Sequence, residues 1–181
     1  MTLPSTPPRT QSQDELYDAT LAELGGALGR LARSYEDDLD KRQDLLQDIH
    51  LALWRSFLSF DGRCSLRTWV YRVAHNVAAS HVVRHRRLRT RLVGLEAIDM
   101  LPGDSDTEGS VDRQLMVERL YTLIRRLRPL DRQIVFLYLE GSDAAAIGEI
   151  TGITAVNVAT KINRIKKLLA RLARSGGSYD E

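Results

Sequence analysis

The side chains best suited to chemistry lie in residues 63–91, a stretch that holds eight Arg and no acidic residue. A merely solvated helix face normally mixes charges of both signs, so this composition favours contact with a polyanion. Hydrogen-bonding and stacking side chains recur there at helical spacing, in place of the Glu and Lys of an ordinary surface helix. They are Thr68, Tyr71, Arg72, His75, Asn76 and Ser80. We expect these side chains to form one exposed face of a helix.

The charge of the chain is divided into blocks that its net value of +2 conceals. Residues 63–91 carry an excess of eight positive charges and residues 125–174 an excess of six, whereas residues 1–62 and residues 92–124 are both acidic. Two basic segments that are separated by an acidic one indicate two sites for a polyanion.

Composition limits the other classes of function. The 181 residues are 43% apolar, enough for one ordinary domain or two small ones. Cys64 is the only cysteine and no Cys and His cluster has zinc spacing, so we expect no disulfide, no metal, no cofactor and a reducing, cytoplasmic location. The sequence lacks clustered metal-binding carboxylates, a Gly-rich phosphate loop and a nucleophile motif, so we expect no enzymatic activity.

The sequence also predicts a protein without membrane insertion. Residues Met1–Ser12 are rich in Pro, Ser and Thr and lack the apolar core of a secretory signal. No apolar stretch approaches the roughly 18 to 20 residues that span a bilayer. We therefore expect a frayed tail followed by a soluble protein.

Helical spacing of apolar residues predicts an all-α fold, since no sustained period-two pattern occurs. The expected helices cover residues 14–33, 44–57, 66–87, 111–127, 129–139, 144–151 and a final stretch that Thr154 caps. Gly25, Gly26 and Gly29 could interrupt the first of them. An acidic segment with Pro, Gly and Ser marks a boundary between two small domains. The expected divisions are a disordered tail at 1–13, a domain at 14–92, a linker at 93–112, a domain at 113–175 and a tail at 176–181.

The segment Asp143–Val158 fits a helix-turn-helix. A short helix buries Ile147 and Ile150, Gly152 turns the chain, and the second helix then exposes polar side chains near its start. In a recognition helix such side chains reach bases and phosphates in the major groove. The candidates are Thr154, Asn157, Thr160, Lys161 and Arg164. A plain helical hairpin without DNA contact is the alternative that the pattern leaves open.

Two segments resemble parts of extracytoplasmic-function (ECF) sigma factors of the sigma-70 family. Residues 44–87 are similar to region 2, through an opening D-L-x-Q-[DE], Trp54, the motif R-T-W-x-Y-R-x-A-x-N from Arg67, and an arginine-rich end. Residues 127–172 are similar to region 4. The matching positions there are Leu127, Pro129, Arg132, Gln133, Gly141, Ile147, Glu149, Ile150, Gly152, Val158 and Arg164. The ordered pair of regions is much more specific than a lone helix-turn-helix.

The resemblance implies a transcription initiation factor whose partners are RNA polymerase core and promoter DNA. It implies that Asp44, Gln47 and Asp48 dock on the largest polymerase subunit. It also implies that the loop Phe60–Ser65 and the helix after it hold the opened non-template strand of the minus-ten element. The residues concerned are Arg63, Ser65, Arg67, Thr68, Tyr71, Arg72, His75, Asn76 and Arg84. Single-strand capture suits them, because an unstacked base needs a planar side chain, hydrogen bonds to its edge and cations near its phosphate.

By the same resemblance, the helix-turn-helix reads the minus-thirty-five element, and an anti-sigma protein is an open further partner. Ala145 and Ala146 replace a usual acidic pair, Gly148 replaces a usual Ala, and Ala159 stands where Lys is common. The promoter sequence therefore cannot be carried over from the family. An autonomous helix-turn-helix regulator remains the rival interpretation. We expect Trp69 to be packed in the core, and His75 and His81 to be polar or packed side chains rather than metal ligands.

Overall fold

The computed structural model describes residues 12–92 and 110–175. Within these ranges all regular structure is helical, which confirms the predicted fold class. The elements are α1 (Gln13–Tyr35), α2 (Leu39–Ser56), a short 3-10 turn (Phe57–Ser59), α3 (Leu66–Leu92), α4 (Ser110–Arg125), α5 (Pro129–Leu139), α6 (Ala144–Thr151) and α7 (Ala155–Ser175). We refer to α1–α3 as the first unit and to α4–α7 as the second unit.

Helix starts depart from the expected positions where a side chain caps the backbone. The hydroxyl of Ser12 accepts a hydrogen bond from the amide of Glu15, whose carboxylate accepts one from the amide of Ser12. This capping box puts Ser12 and Gln13 into the start of α1 rather than into the tail. Asp38 caps α2, which begins at Leu39, five residues before its predicted start. Residues 1–11 of the expected tail, 93–109 of the expected linker and the expected tail 176–181 lie outside the described residues.

The first unit is built on three apolar stripes that meet in one core. α1 contributes Leu24, Leu28 and Leu31, and α2 and α3 supply the stripes that face it, all of them buried. Those stripes are Leu45, Ile49 and Leu53 on α2, and Val70, Ala74 and Ala78 on α3. α1 continues without a break through its three glycines, because this packing outweighs their low helix propensity.

The two tryptophans of the chain have different surroundings within the first unit. Trp69 packs edge-to-face on Phe60, with ring centroids 5.4 Å apart, and its indole N–H donates to the hydroxyl of Ser56 at 2.9 Å. This confirms the prediction that Trp69 is a core side chain. Trp54 is 41% exposed, and its indole N–H donates to Asp14 at 3.1 Å, which ties the end of α2 to the start of α1.

The second unit contains the predicted helix-turn-helix. Asp143 caps α6 by accepting from the amide of Ala146, and Gly152 ends α6 with a left-handed φ of 76°. Thr154 accepts a hydrogen bond from the amide of Asn157 and so caps α7 as expected. Ile147 and Val158 are fully buried where the two helices cross. The sequence signals for the turn are therefore confirmed.

Helix α5 is enclosed on more than one side. Four successive residues, Ile134 to Leu137, are all buried, although successive positions of a helix point about 100° apart. α5 packs on α6 and α7 within its own unit and on α1 of the first unit. The two units therefore meet through this contact with α1, and also through the packing of α6 on α3 and of α4 on α1. No helix among the described residues is long and apolar enough to cross a membrane.

Candidate nucleic-acid and polymerase interfaces

The face of α3 that was expected to be exposed is largely covered by the second unit. Thr68 is 4% exposed, Tyr71 0% and His75 2%, so the prediction that these side chains face solvent is wrong in this arrangement. Phe136 of α5 packs edge-to-face on Tyr71 and His75, with ring centroids 6.2 Å and 5.6 Å apart. A helix more than 60 residues further along the chain supplies this cover, so no local sequence pattern reveals it.

His75 illustrates the electrostatics of the covered face. Its Nδ1 lies 3.1 Å from the hydroxyl of Tyr35, and burial lowers the pKa of His75 to about 3. Burial likewise raises the pKa of Tyr35 to about 12. Both side chains are therefore neutral at ordinary pH. Among the described residues, no group of His, Cys, Asp and Glu could hold a metal ion.

Arg72 of this face and the neighbouring Arg67 both bind backbone carbonyls of the second unit. Arg67 donates to the carbonyl oxygen of Glu140 at 3.1 Å, and its guanidinium lies 5.3 Å from the ring centroid of Tyr71. Arg72 donates to the carbonyl oxygen of Glu149. Both acceptors lie at the carboxyl ends of helices α5 and α6, where the helix dipole is negative.

The other candidates for minus-ten contact remain accessible. Arg63, Ser65, Asn76 and Arg84 are exposed, and Ser65 caps α3 by accepting from the amide of Thr68 at 3.0 Å. Asn76 and Arg84 line a groove of about 390 Å³ between α2 and α3. Its lining includes Leu51, Arg55 and Ser80, of which only Ser80 belongs to the functional face predicted from the sequence. The sequence did contain a signal for this groove, because Leu51 is an apolar residue that lies off the core stripe of α2. Its side chain is exposed in the structure.

The residues expected to dock on polymerase lie on the outer side of α2. Asp44 and Gln47 are exposed and Asp48 is half-buried. Asp48 forms an ion pair of 3.0 Å with Arg84, which joins the expected docking face to the expected minus-ten face. The two faces therefore share one edge of the α2–α3 groove.

On the recognition helix α7, a buried carboxylate holds the two expected cations. Asp131 of α5 is 8% exposed and accepts from Lys161 at 2.8 Å and from Arg164 at 3.4 Å. Asn157 and Thr160 are exposed on the turns that precede these cations. Asp131 thus orients both cations along one side of α7, a role that the sequence did not reveal.

Beside these cations lies a basic cleft of about 530 Å³ between the α4–α5 turn and α7. Its floor is apolar and includes Leu127 and Ile165, which are buried. Its basic lining residues are Arg126, Arg128, Arg164, Lys167 and Arg171. The single acidic lining residue, Asp131, is already paired, so the cleft is strongly positive. The cluster of Arg at the α4–α5 turn was visible in the sequence but had not been assigned a role.

Comparison with known proteins agrees with this division into two units. Residues 21–88 match the family model for Sigma-70 region 2, and residues 117–169 match that for Sigma-70, region 4. Together the two models match more than half of the chain.

The chain is 28% identical to the RNA polymerase sigma factor NccH of Alcaligenes xylosoxydans xylosoxydans, over 91% of this chain and 90% of that protein. It is 30% identical to the ECF RNA polymerase sigma factor SigX of Bacillus subtilis, over 46% and 39% respectively. The fold is similar to that of the sigma factor RpoE of Bartonella quintana, solved in complex with the anti-sigma factor NepR. That likeness has a TM-score of 0.65 at 19% identity and covers 90% of this chain and 98% of the other.

Each of the two helical units is matched by one region of the same family. This ordered pair of regions defines a transcription initiation factor. The chain belongs to the sigma-70 family, as a sigma factor of the ECF group that acts with RNA polymerase core at promoter DNA.

Proposed function

We propose that the chain recruits polymerase core to promoters in the cytoplasm, without catalysis of its own, through two DNA sites with different tasks. The observation that carries this proposal is that each unit has a surface with its own cations: Arg67, Arg72 and Arg84 on α3 of the first unit, and the basic cleft of the second. The proposed domains are residues 14–92 and 113–175, which correspond to regions 2 and 4. A protein that only recognised duplex DNA would have no need of the first surface.

The second unit binds intact duplex. Thr154, Asn157 and Thr160 lie at the start of α7, where a recognition helix meets base edges. Lys161 and Arg164 are both paired with Asp131 and contact phosphates. Arg164 and Asp131 also line the basic cleft. The other cations of the cleft continue the same positive surface, so the DNA backbone follows the cleft past the recognition helix.

The first unit holds the parted strand. Asn76 and Arg84, which are exposed, offer hydrogen bonds to a base edge and a cation for the phosphates. Tyr71 offers an aromatic face, and Arg67 and Arg72 offer further cations, once the second unit no longer covers them. Arg63, Ser65, Thr68 and His75 complete the set around the start of α3. Asp44, Gln47 and Asp48 dock on the polymerase from the outer side of α2, next to the groove that would hold the strand.

An anti-sigma protein is a further proposed partner. The support is the shared fold with RpoE of Bartonella quintana, which was solved with such a protein. Co-purification of the chain with a candidate from the same genome, followed by loss of transcription on its addition, is the measurement for this part.

A reconstituted run-off assay tests the main proposal. Polymerase core with the chain should initiate from a cognate promoter, whereas either component alone should not. The double substitution Lys161→Ala with Arg164→Ala should lower recruitment and reduce the salt dependence of binding by roughly two counterions, since each phosphate contact releases about one. Lys166→Ala is the matched control, because the ammonium of Lys166 binds the hydroxyl of Tyr138 at 2.7 Å.

The same preparation distinguishes the proposed sigma factor from the rival interpretation, an autonomous helix-turn-helix regulator. An autonomous regulator would bind one duplex sequence at nanomolar concentration without polymerase, and it would not support initiation. Filter binding with and without core at several salt concentrations gives this distinction.

A further inference from the structure

Three uncharged residues lie on the side of the recognition helix α7 that points away from the protein. Val156, Thr160 and Asn163 are all exposed, and Val156 is 76% exposed. Because successive residues of an α-helix are about 100° apart, the three side chains lie within roughly 60° of one another around the axis of α7. They are opposite Val158 and Ile162, which are buried. We refer to these three exposed residues as the outward stripe.

The hydroxyl of Thr160 is already used within the helix. It donates to the carbonyl oxygen of Val156 at 3.0 Å. The methyl group of Thr160 is therefore the part of this side chain that is left for an outside partner. It lies one turn from the methyl groups of Val156, and the amide of Asn163 follows one turn later. The outward stripe thus offers two apolar contacts and one amide that both donates and accepts hydrogen bonds.

The cations of α7 are held to one side of this stripe. Residues 154–160, which are the cap and the first turns of α7, contain no Lys or Arg. The first cations along the helix, Lys161 and Arg164, are paired with Asp131 of α5 at 2.8 Å and 3.4 Å. Asp131 therefore keeps both cations on the side of α7 that faces α5, away from the position of the base edges.

The outward stripe has the chemistry that A·T pairs require in the major groove. Thymine carries a C5 methyl group, which packs on apolar side chains, and adenine offers N6 and N7, which an Asn amide binds with two hydrogen bonds. Guanine offers two acceptors, which suit Arg or Lys, and the stripe contains neither. Val156 and Asn163 are about 10 Å apart along the helix, a distance that corresponds to roughly three base pairs.

We propose that the outward stripe determines the base specificity of the second unit and selects a short run of A·T pairs in duplex DNA. Val156 and Thr160 pack on thymine methyl groups, and Asn163 binds an adenine. Asp131 is a positioning residue that keeps Lys161 and Arg164 on the phosphates. This inference rests on the proposed function of the second unit as the duplex-binding site.

Selection from a random duplex library tests the assignment of Asn163. Polymerase core with the full chain is mixed with duplexes that carry a long random insert, and the bound fraction is sequenced. The upstream element that the native chain enriches should contain adjacent A·T pairs. Asn163→Ala should reduce the preference at one of these pairs by roughly five- to hundredfold. Asn163→Arg should replace that pair by G·C, because Arg donates to both acceptors of guanine. An upstream element made of G·C pairs, or one that neither substitution alters, overturns the proposal.

Deoxyuridine isolates the methyl contacts, because it differs from thymidine only in lacking the C5 methyl group. Placing deoxyuridine in the selected element should weaken binding of the native chain with core about fourfold for each methyl group that is lost. Thr160→Ser and Val156→Ala should each reduce this difference. Ser keeps the hydroxyl that bonds to the carbonyl oxygen of Val156, so Thr160→Ser changes the methyl group alone. Equal discrimination by the native chain and both variants overturns the methyl contacts.

Two further variants separate base reading from phosphate binding. Asp131→Asn releases Lys161 and Arg164, so the element should accept guanine at one position and the salt dependence of binding should rise. Lys167→Ala removes an exposed cation of the basic cleft, and it should weaken binding to all sequences alike without changing the element. If core and chain enrich no element and initiate nowhere, the proposed function and this inference both fail. If they initiate from an enriched element that the Asn163, Thr160 and Val156 variants read unchanged, only this inference fails.

Discussion

His75 makes the stability of the folded chain depend on pH. Its pKa is about 3 in the folded protein, whereas an unfolded chain binds this proton near the ordinary value of 6.5. Between these values the unfolded state holds more protons, so the stabilising contribution of neutral His75 is lost as the pH falls from about 6.5 towards 3. The groups around it, Tyr35, Tyr71 and Phe136, offer no negative charge that would offset this loss.

We therefore expect the native chain to lose roughly 1 to 2 kcal/mol more than His75→Gln does between pH 7 and pH 5. Urea denaturation of both proteins at the two pH values gives the comparison. The difference between the proteins is the relevant quantity, since carboxylates elsewhere titrate equally in both. Equal losses in the two proteins would show that His75 is protonated in the folded state.

Sequence alone identified the residue types of the candidate site but not their environment. The recognition-helix candidates Asn157 and Thr160 are exposed as expected, because a helix-turn-helix has a local pattern. The burial of Tyr71 and His75 could not be predicted, because Phe136 covers them from another unit. Asp131 was also missed, since its partners on α7 lie 30 and 33 residues away.

At the scale of single helices, two glycines should respond oppositely to the same substitution. A Cβ at Gly29 in α1 would meet no atom within 4 Å, so Gly29→Ala should stabilise the chain by about 0.5 to 1 kcal/mol through helix propensity. A Cβ at Gly148 in α6 would lie 2.6 Å from the carbonyl oxygen of Ile153, in the backbone of the turn. We expect Gly148→Ala to destabilise by about 1 to 3 kcal/mol, because the turn must move.

Thermal unfolding followed by circular dichroism measures both effects, and each variant is the control for the other. If Gly148→Ala were more stable than the native chain, the α6–α7 turn would have to accept a methyl group despite the close approach of the Ile153 carbonyl oxygen. The result bears on the family departure at this position, where Ala is usual. The turn of this chain comes closer to α6 than an Ala side chain allows.

The helices themselves were predictable because their signals are local. Asp143, Gly152 and Thr154 start and stop elements as their residue types require. Helix starts were predicted less well where a polar residue extended a helix beyond its apolar stripe, as Asp38 does for α2. α1 continues through Gly25, Gly26 and Gly29 because its apolar face packs in the core. Helix propensities do not include such packing, so this continuity could not be predicted.

For the whole molecule, the assignment of the polymerase face leads to a further prediction. Asp44→Ala should weaken binding to polymerase core by roughly fivefold, equivalent to about 1 kcal/mol, because an exposed charge at an interface contributes modestly. Circular dichroism should be unchanged, since the side chain is exposed. Fluorescence anisotropy with labelled chain measures the affinity, and Asp18→Ala on α1 is an exposed control. An unaltered affinity would show that the polymerase does not dock on this side of α2.

Asp48→Ala should behave differently from Asp44→Ala, because it also frees Arg84 from its ion pair. A loss of core affinity combined with a gain in affinity for single strands is the expected pattern. The two substitutions together therefore test whether the docking face and the strand face share an edge.

The positions of the two tryptophans determine what intrinsic fluorescence can report. Trp54 and Trp69 both belong to the first unit, and the chain has no other tryptophan. Emission excited at the red edge of protein absorbance therefore comes from one half of the molecule, and iodide should quench the exposed Trp54 before the packed Trp69. An unfolding curve recorded in this way follows the first unit alone. Circular dichroism follows the helices of both units. If the two unfolding curves differ, the two units unfold independently of each other.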